Sequence, residues 1–243
     1  MTALNFDTAL ARAGVTDATL RAEERAALDR EGYVVLRGVY DAAQCARLRE
    51  TFERTYVPSH EWPMPRGAGT RHAMLDNEPE AWAAALAPRV LACAQYLLKR
   101  RFFLFDVQGR DPRPGQGEQR LHRDWVMPTG PAPIVVVLAF LDPFGAANGA
   151  TRVVPGTHLM DGGADAFSEM VRHPDEVIVA GEAGDVVVCD GYLVHSGTQN
   201  VSGAPRRDLQ IALHAFDTPG HAPPKRDCAG EPPHIRYLLG AED

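Results

Sequence analysis

The chain has 243 residues, 45% of them hydrophobic and 23% charged, with a formal net charge of −7. That size and mix suit a soluble globular protein with a sizeable core. The acidic balance leaves no basic surplus to displace counterions, which argues against a nucleic-acid binder, and no window approaches the ~18 apolar residues of a membrane helix.

Along the chain, MTALNFDTAL has no basic stretch followed by an apolar run, so no secretory signal is expected and a cytoplasmic location is. Cys45, Cys93, Cys189 and Cys228 are scattered without CxxC spacing and read as free thiols in a reducing compartment. Thr16 and Asp17 can cap a helix over TLRAEERAALDREG, which Gly32 would stop. YVVLRGV is a β-rich run, and DAAQCARLRETFERTY is an amphipathic helix capped by Asp41. Residues 57–80 are rich in proline and glycine, show no period, and are expected to form a long loop or lid. A helix over EAWAAALAPRVLACAQYLLKR follows, turned near Pro88.

From residue 102 the texture changes. RFFLFDVQG, PIVVVLAFLD, GATRVVPG, DEVIVAG, GDVVVCDG and RDLQIALHAF are short β-rich runs, separated by Gly, Pro, Asn and Asp. Such a series predicts a β-sandwich or barrel, not a parallel sheet. No repeat or domain boundary interrupts it. The expectation is one domain over 1–243, with a helix-rich part (1–100) packed on a β-core (101–220).

Two stretches could carry chemistry. In LHRDW, a strand would point His122 and Asp124 to one face and Arg123 to the other. An imidazole and a carboxylate there are two neighbouring metal ligands, though a structural His–Asp hydrogen bond has the same spacing. GDVVVCDGYLVHSGTQN brings His195, 73 residues after His122, far enough to cross a sandwich and return. Two histidines and one carboxylate form the facial triad of non-haem Fe(II) oxygenases, with open positions left for other ligands. Arg206 lies 11 residues further on, and a hairpin over SGTQNVSGAP would return it beside His195, where its fork suits a carboxylate. Arg207 would face the other way, as an ordinary surface arginine. No HExxH is present for a zinc hydrolase.

REGYVVLRGVYDAAQCARLRE, QRLHRDW, NGATRVVPGTHL and GDVVVCDGYLVHSGTQN with its trailing arginine, in that order and spacing, resemble the phytanoyl-CoA dioxygenase family of Fe(II)/2-oxoglutarate-dependent oxygenases over most of the chain. The resemblance implies a mainly β fold with flanking helices around a double-stranded β-helix, the cupin-like jelly-roll. It implies Fe(II) held by His122, Asp124 and His195, and 2-oxoglutarate with its far carboxylate on Arg206. Gln119 and Thr151 match cosubstrate-contacting positions, and Phe140 falls where an aromatic often flanks the cosubstrate. Ideal strand alternation would turn Gln119 away from His122.

Many members carry a serine two residues after the distal histidine. Here that place is Gly197, with Ser196 and Thr198 beside it as candidate substitutes. Related halogenases leave the carboxylate position to Gly or Ala, so Asp124 argues against halogenation. The implied activity is hydroxylation of an unactivated C–H bond with O2, releasing succinate and CO2. Desaturation, cyclisation or epimerisation use the same oxidant, and a non-catalytic jelly-roll binding protein is the alternative from another class. Trp125 is a candidate pocket wall, Gln108 a candidate inward-facing group, and Arg66, Arg71 and His72 could receive an acidic group. Nothing resembles a dedicated CoA-binding patch. The expected partner is a small molecule of secondary metabolism, bound by a monomer or homodimer.

Overall fold

The structure, a computed structural model, describes residues 4–57, 70–126, 130–160, 167 and 170–241. It opens on a helix that the sequence reading missed, α1 (Phe6–Arg12), capped by Asn5. Thr16 does not start the next helix, because its N–H is taken by Thr19 Oγ1 at 2.8 Å in a local turn. Helix α2 instead spans Ala22–Glu31 and ends on Gly32, whose φ of 79° favours a residue without Cβ.

Next come β1 (Tyr33–Leu36) and α3 (Ala42–Arg54), the latter started by a reciprocal Asp41–Gln44 capping box. The expected long loop is partly strand: β2 (Tyr56–Val57) and β3 (Thr70–Met74) pair antiparallel. Helices α4 (Pro79–Ala85) and α5 (Pro88–Leu98) each begin on a proline, which needs no N–H partner in the first turn. The remaining strands are β4 (Phe102–Pro112), β5 (Ile134–Phe140), β6 (Thr151–Val154), β7 (Val177–Ile178), β8 (Val186–Asp190), β9 (Val194–Gly197) and β10 (Asp208–Ala215). A last helix, α6 (Pro233–Leu238), follows.

A seven-stranded sheet in the order β1-β8-β5-β10-β4-β3-β2 faces a three-stranded sheet in the order β7-β6-β9, and the pairings named here are antiparallel. Three strands of the large sheet therefore come from the first hundred residues.

Strand alternation divides the core. On the outer face, Val135, Val137 and Ala139 of β5, Val186 and Val188 of β8, and Leu209 and Leu213 of β10 pack under the helices. On the inner face, Leu138, Phe140, Val187 and Cys189 meet Val153 and Leu193 between the sheets. The inner face of β10 departs from this apolar rule, reading Asp208, Gln210, Ala212 and His214. A cavity of about 600 Å³ opens over that polar stretch.

Candidate active site

His195 sits on β9, whose register with β6 sets Val153 opposite His195, Arg152 opposite Ser196 and Thr151 opposite Gly197. The turn feeding β9 is fixed by Asp190, whose carboxylate accepts the Tyr192 N–H at 2.8 Å. The LHRDW segment lies along the free side of β9, but it is not the expected strand. Its His122 forms a single bridge with His195, each N–H donating to the other's carbonyl at 3.0 Å. Beyond the bridge the chain turns, and Trp125 N–H donates to Gly191 O. Arg123 points away and donates to Thr157 O at 2.8 Å.

The bridge brings His122, Asp124 and His195 together, with one ligand atom of each within 4.8 Å of the others. Among the described residues this is the one such group that could hold a metal. Both imidazoles are oriented by backbone. His122 Nδ1 lies 2.9 Å from Arg120 O, and His195 Nδ1 lies 3.0 Å from Leu193 O. A carbonyl only accepts, so each Nδ1 carries the hydrogen and each Nε2 keeps a lone pair, the tautomer a metal needs.

His195 Nε2 stands 3.3 Å from Asp124 Oδ2. Burial opposes the charge on Asp124, but the facing His195 outweighs it and holds the carboxyl below its usual range. Burial, then the neighbouring His195, pushes His122 down. Burial works against protonated His195 too, but Asp124 reverses that and raises it. Two neutral-capable imidazoles and a committed carboxylate fit a divalent transition metal.

Arg206 lines the same cavity, just before β10, and is 4% exposed. Its guanidinium lies 4.3 Å from the centre of the Phe144 ring, 3.2 Å from Thr151 Oγ1 and 3.4 Å from Asp208 Oδ1. Arg206 Nε is buried with no hydrogen-bond partner, and the clamped guanidinium belongs to a residue that borders the cavity. Gln119 also lines the cavity and accepts the Gly197 N–H at 3.1 Å. It can face inward because its segment is not a regular strand.

The hydroxyls beside Gly197 both have partners, but only Thr198 spends its hydrogen, and Ser196 keeps an O–H to donate. Ser196 Oγ accepts from Arg152 at 2.7 Å, and Thr198 Oγ1 donates to Ala150 O at 2.7 Å. Phe140 does not flank the cavity. It stacks on Phe144 at 3.7 Å in the inter-sheet core, and Phe144 carries the contact to Arg206. Arg207 is not a loose surface arginine either, since it pairs with Asp142 at 2.8 Å and Glu53 at 3.0 Å.

Trp125, Gln108 and His72 line the cavity. Arg71 lies opposite Asp111 in the β3–β4 register, but its side chain, like all of Arg66, lies outside the described residues. Sequence reasoning missed the rings beside Trp125: His221 at 6.0 Å, His214 at 4.8 Å from His221, and Phe105 stacked on His214 at 4.0 Å. It also missed Asp208, two residues after Arg206, a spacing that did signal a shared strand face.

The profile of the phytanoyl-CoA dioxygenase (PhyH) family matches residues 28–208. Dioxygenase trt7 of Aspergillus terreus is 35% identical over 109 residues, covering 41% of this chain and 36% of trt7. Dioxygenase FUM3 of Gibberella moniliformis is 25% identical over 240 residues, covering 86% of this chain and 77% of FUM3. Among solved structures, HygX of Streptomyces hygroscopicus, with nickel, 2-oxoglutarate and hygromycin B bound, superposes with a TM-score of 0.69 at 18% identity. That superposition covers 82% of this chain and 88% of HygX and shows the shared fold.

Proposed function

The chain belongs to the phytanoyl-CoA dioxygenase family, and from that premise we propose that it hydroxylates an unactivated C–H bond of a small molecule of secondary metabolism, using Fe(II), 2-oxoglutarate and O2. The observation that carries this reading is the His122–Asp124–His195 cluster with both Nδ1 atoms tied to carbonyls, in one cavity with the clamped Arg206. Bound there, Fe(II) would activate O2 as the oxidant, one oxygen atom going to 2-oxoglutarate as it loses CO2 and becomes succinate and the other to the substrate C–H bond.

The rest of the task falls to this chain's own groups. Nε2 of His122, Nε2 of His195 and a carboxylate oxygen of Asp124 would hold the metal, and Asp124 would offset part of its charge. Arg206 would take the far carboxylate of 2-oxoglutarate, a pairing that Phe144 and Thr151 pre-organise by fixing the guanidinium. Gln119 is held by Gly197 N–H at the same cavity wall. Trp125, His221, His214 and Phe105 form a ring-lined side for the substrate, and Gln108 and His72 add polar groups. HygX, which shares this fold, holds nickel, 2-oxoglutarate and hygromycin B in its solved structure, in keeping with this reading.

The test is succinate formation from 2-oxoglutarate by the purified protein with Fe(II) in air. Slow uncoupled turnover is expected even without the substrate. Asp124→Ala should abolish it, removing a ligand and a compensating charge together. Equal succinate from wild type and variant would defeat the proposal.

A further inference from the structure

We propose that Arg152 is a positioning residue that sets the spacing between the segment carrying His122 and Asp124 and the strand carrying His195; the inference rests on the reading of those three residues as metal ligands. Arg152 is 0% exposed and is among the largest fully buried side chains of the molecule. Burying a guanidinium is expensive unless it is paired and hydrogen-bonded, so its partners reveal what it does.

Nε donates to Ser196 Oγ at 2.7 Å, one residue after His195. A second nitrogen donates to Gln119 O at 2.8 Å, three residues before His122. The third lies 3.6 Å from Glu176, whose carboxylate is held in turn by Arg172 at 2.9 Å and by His173 N–H at 3.1 Å. The flat fork thus ties together the two stretches of chain that supply all three candidate ligands, with a carboxylate behind it to balance the charge.

This placement differs from ordinary core ballast. An apolar side chain of similar volume would fill the space without directional bonds. The HxD segment is tied down elsewhere as well, Leu121 clustering with Val154 of β6 and Val194 of β9 and Trp125 N–H bonding Gly191 O. It forms one bridge at His122–His195, contacts at Gln119–Gly197, and a bond from Leu121 N–H to Met170 O. Lysine would keep the positive charge but has no rigid fork to span both partners. Groups that orient ligands from behind typically change metal affinity by about 10–100-fold when removed.

The experiment is anaerobic titration of the full-length protein with Co(II), and with Fe(II) plus 2-oxoglutarate, followed by the visible absorption of each complex. Wild type, Arg152→Lys and Ser196→Ala are compared at a temperature well below their melting points. Arg152→Lys is expected to weaken metal binding by about 10–100-fold with an altered Co(II) spectrum, and Ser196→Ala by about fivefold. A merely structural arginine would lower the melting temperature and leave affinity and spectrum as in wild type, which would overturn the inference. Should Arg152→Lys fail to fold, Ser196→Ala decides alone: weakened binding supports the positioning role and unchanged binding overturns it. A wild-type protein that takes up neither metal would defeat the family-based reading instead, a result distinct from wild-type binding that survives both substitutions.

Discussion

At the residue scale, Gly197 shows how a local contact can rewrite a familiar arrangement. A Cβ built on it would meet Gly117 O at 2.8 Å and Gln119 Oε1 at 3.2 Å. The first is closer than real Cβ contacts allow, and the partner is backbone that cannot swing aside. The serine often found two residues after the distal histidine is therefore excluded by how closely residues 117–119 approach β9. Gln119 accepts the Gly197 N–H in the space gained. Gly197→Ser is accordingly expected to raise the half-saturating 2-oxoglutarate concentration by about tenfold, at a cost on the order of 1–3 kcal/mol for the overpacked site, measured by uncoupled succinate formation. Tighter 2-oxoglutarate binding in the variant would refute this account. The glycine itself was legible in the sequence as a departure. Its cause was not, because it lies in Gly117 and Gln119, 80 and 78 positions earlier in the chain.

At the element scale, β4 and β10 build the cavity wall by opposite means. Strand β10 alternates cleanly, so Asp208, Gln210, Ala212 and His214 follow from a period of two once Arg206 is placed. Strand β4 does not. Its register with β10 slips so that Asp106 pairs with Ala212 and Leu104 with Leu213, leaving Phe105 as the extra residue. That bulge turns both Phe105 and Asp106 toward the cavity, a re-aiming common next to active sites. No residue in RFFLFDVQG announces it, since neither glycine nor proline marks the spot. LHRDW misleads for the complementary reason: one bridge mimics the face-sharing of a strand without its extent.

The rings that the bulge brings together carry a pH signature. Burial, then His221, pushes His214 down to about 3. The unfolded chain takes up this proton near the ordinary value of about 6.5, and the folded protein does not until about 3. Folding stability should therefore fall with acidification across that window, by about 1.4 kcal/mol per pH unit from this one group. His214→Phe keeps a ring against Phe105 and removes the proton. Denaturant midpoints measured between pH 7 and pH 4 should fall less steeply for the variant. Parallel curves would show that His214 is not the group responsible.

At the scale of the whole molecule, two sheets of unequal size hold one cavity between them, and helices cover the back of the larger sheet. The change of texture at residue 102 made the β-core visible, because buried runs such as IVVVLAF need a sheet with both faces covered. The share contributed by β1, β2 and β3 was harder to read. Strand β1 is a β-rich run of four residues, β2 is only two residues long, and the polar TRHAM of β3 (Thr70, Arg71, His72, Ala73, Met74) suits a strand near the sheet edge and the cavity rim. Long-range closure decides the site itself: His122, Thr151, His195 and Arg206 come from four separate stretches that meet only when β6, β9 and β10 are in register.

The most direct measurement is equilibrium binding of Fe(II) and 2-oxoglutarate under argon by wild type and by Asp124→Ala. The account predicts one Fe(II) per chain, a visible charge-transfer band on adding 2-oxoglutarate, and loss of both in the variant. A wild-type protein that binds no Fe(II), or an Asp124→Ala protein that binds it as tightly, would contradict it.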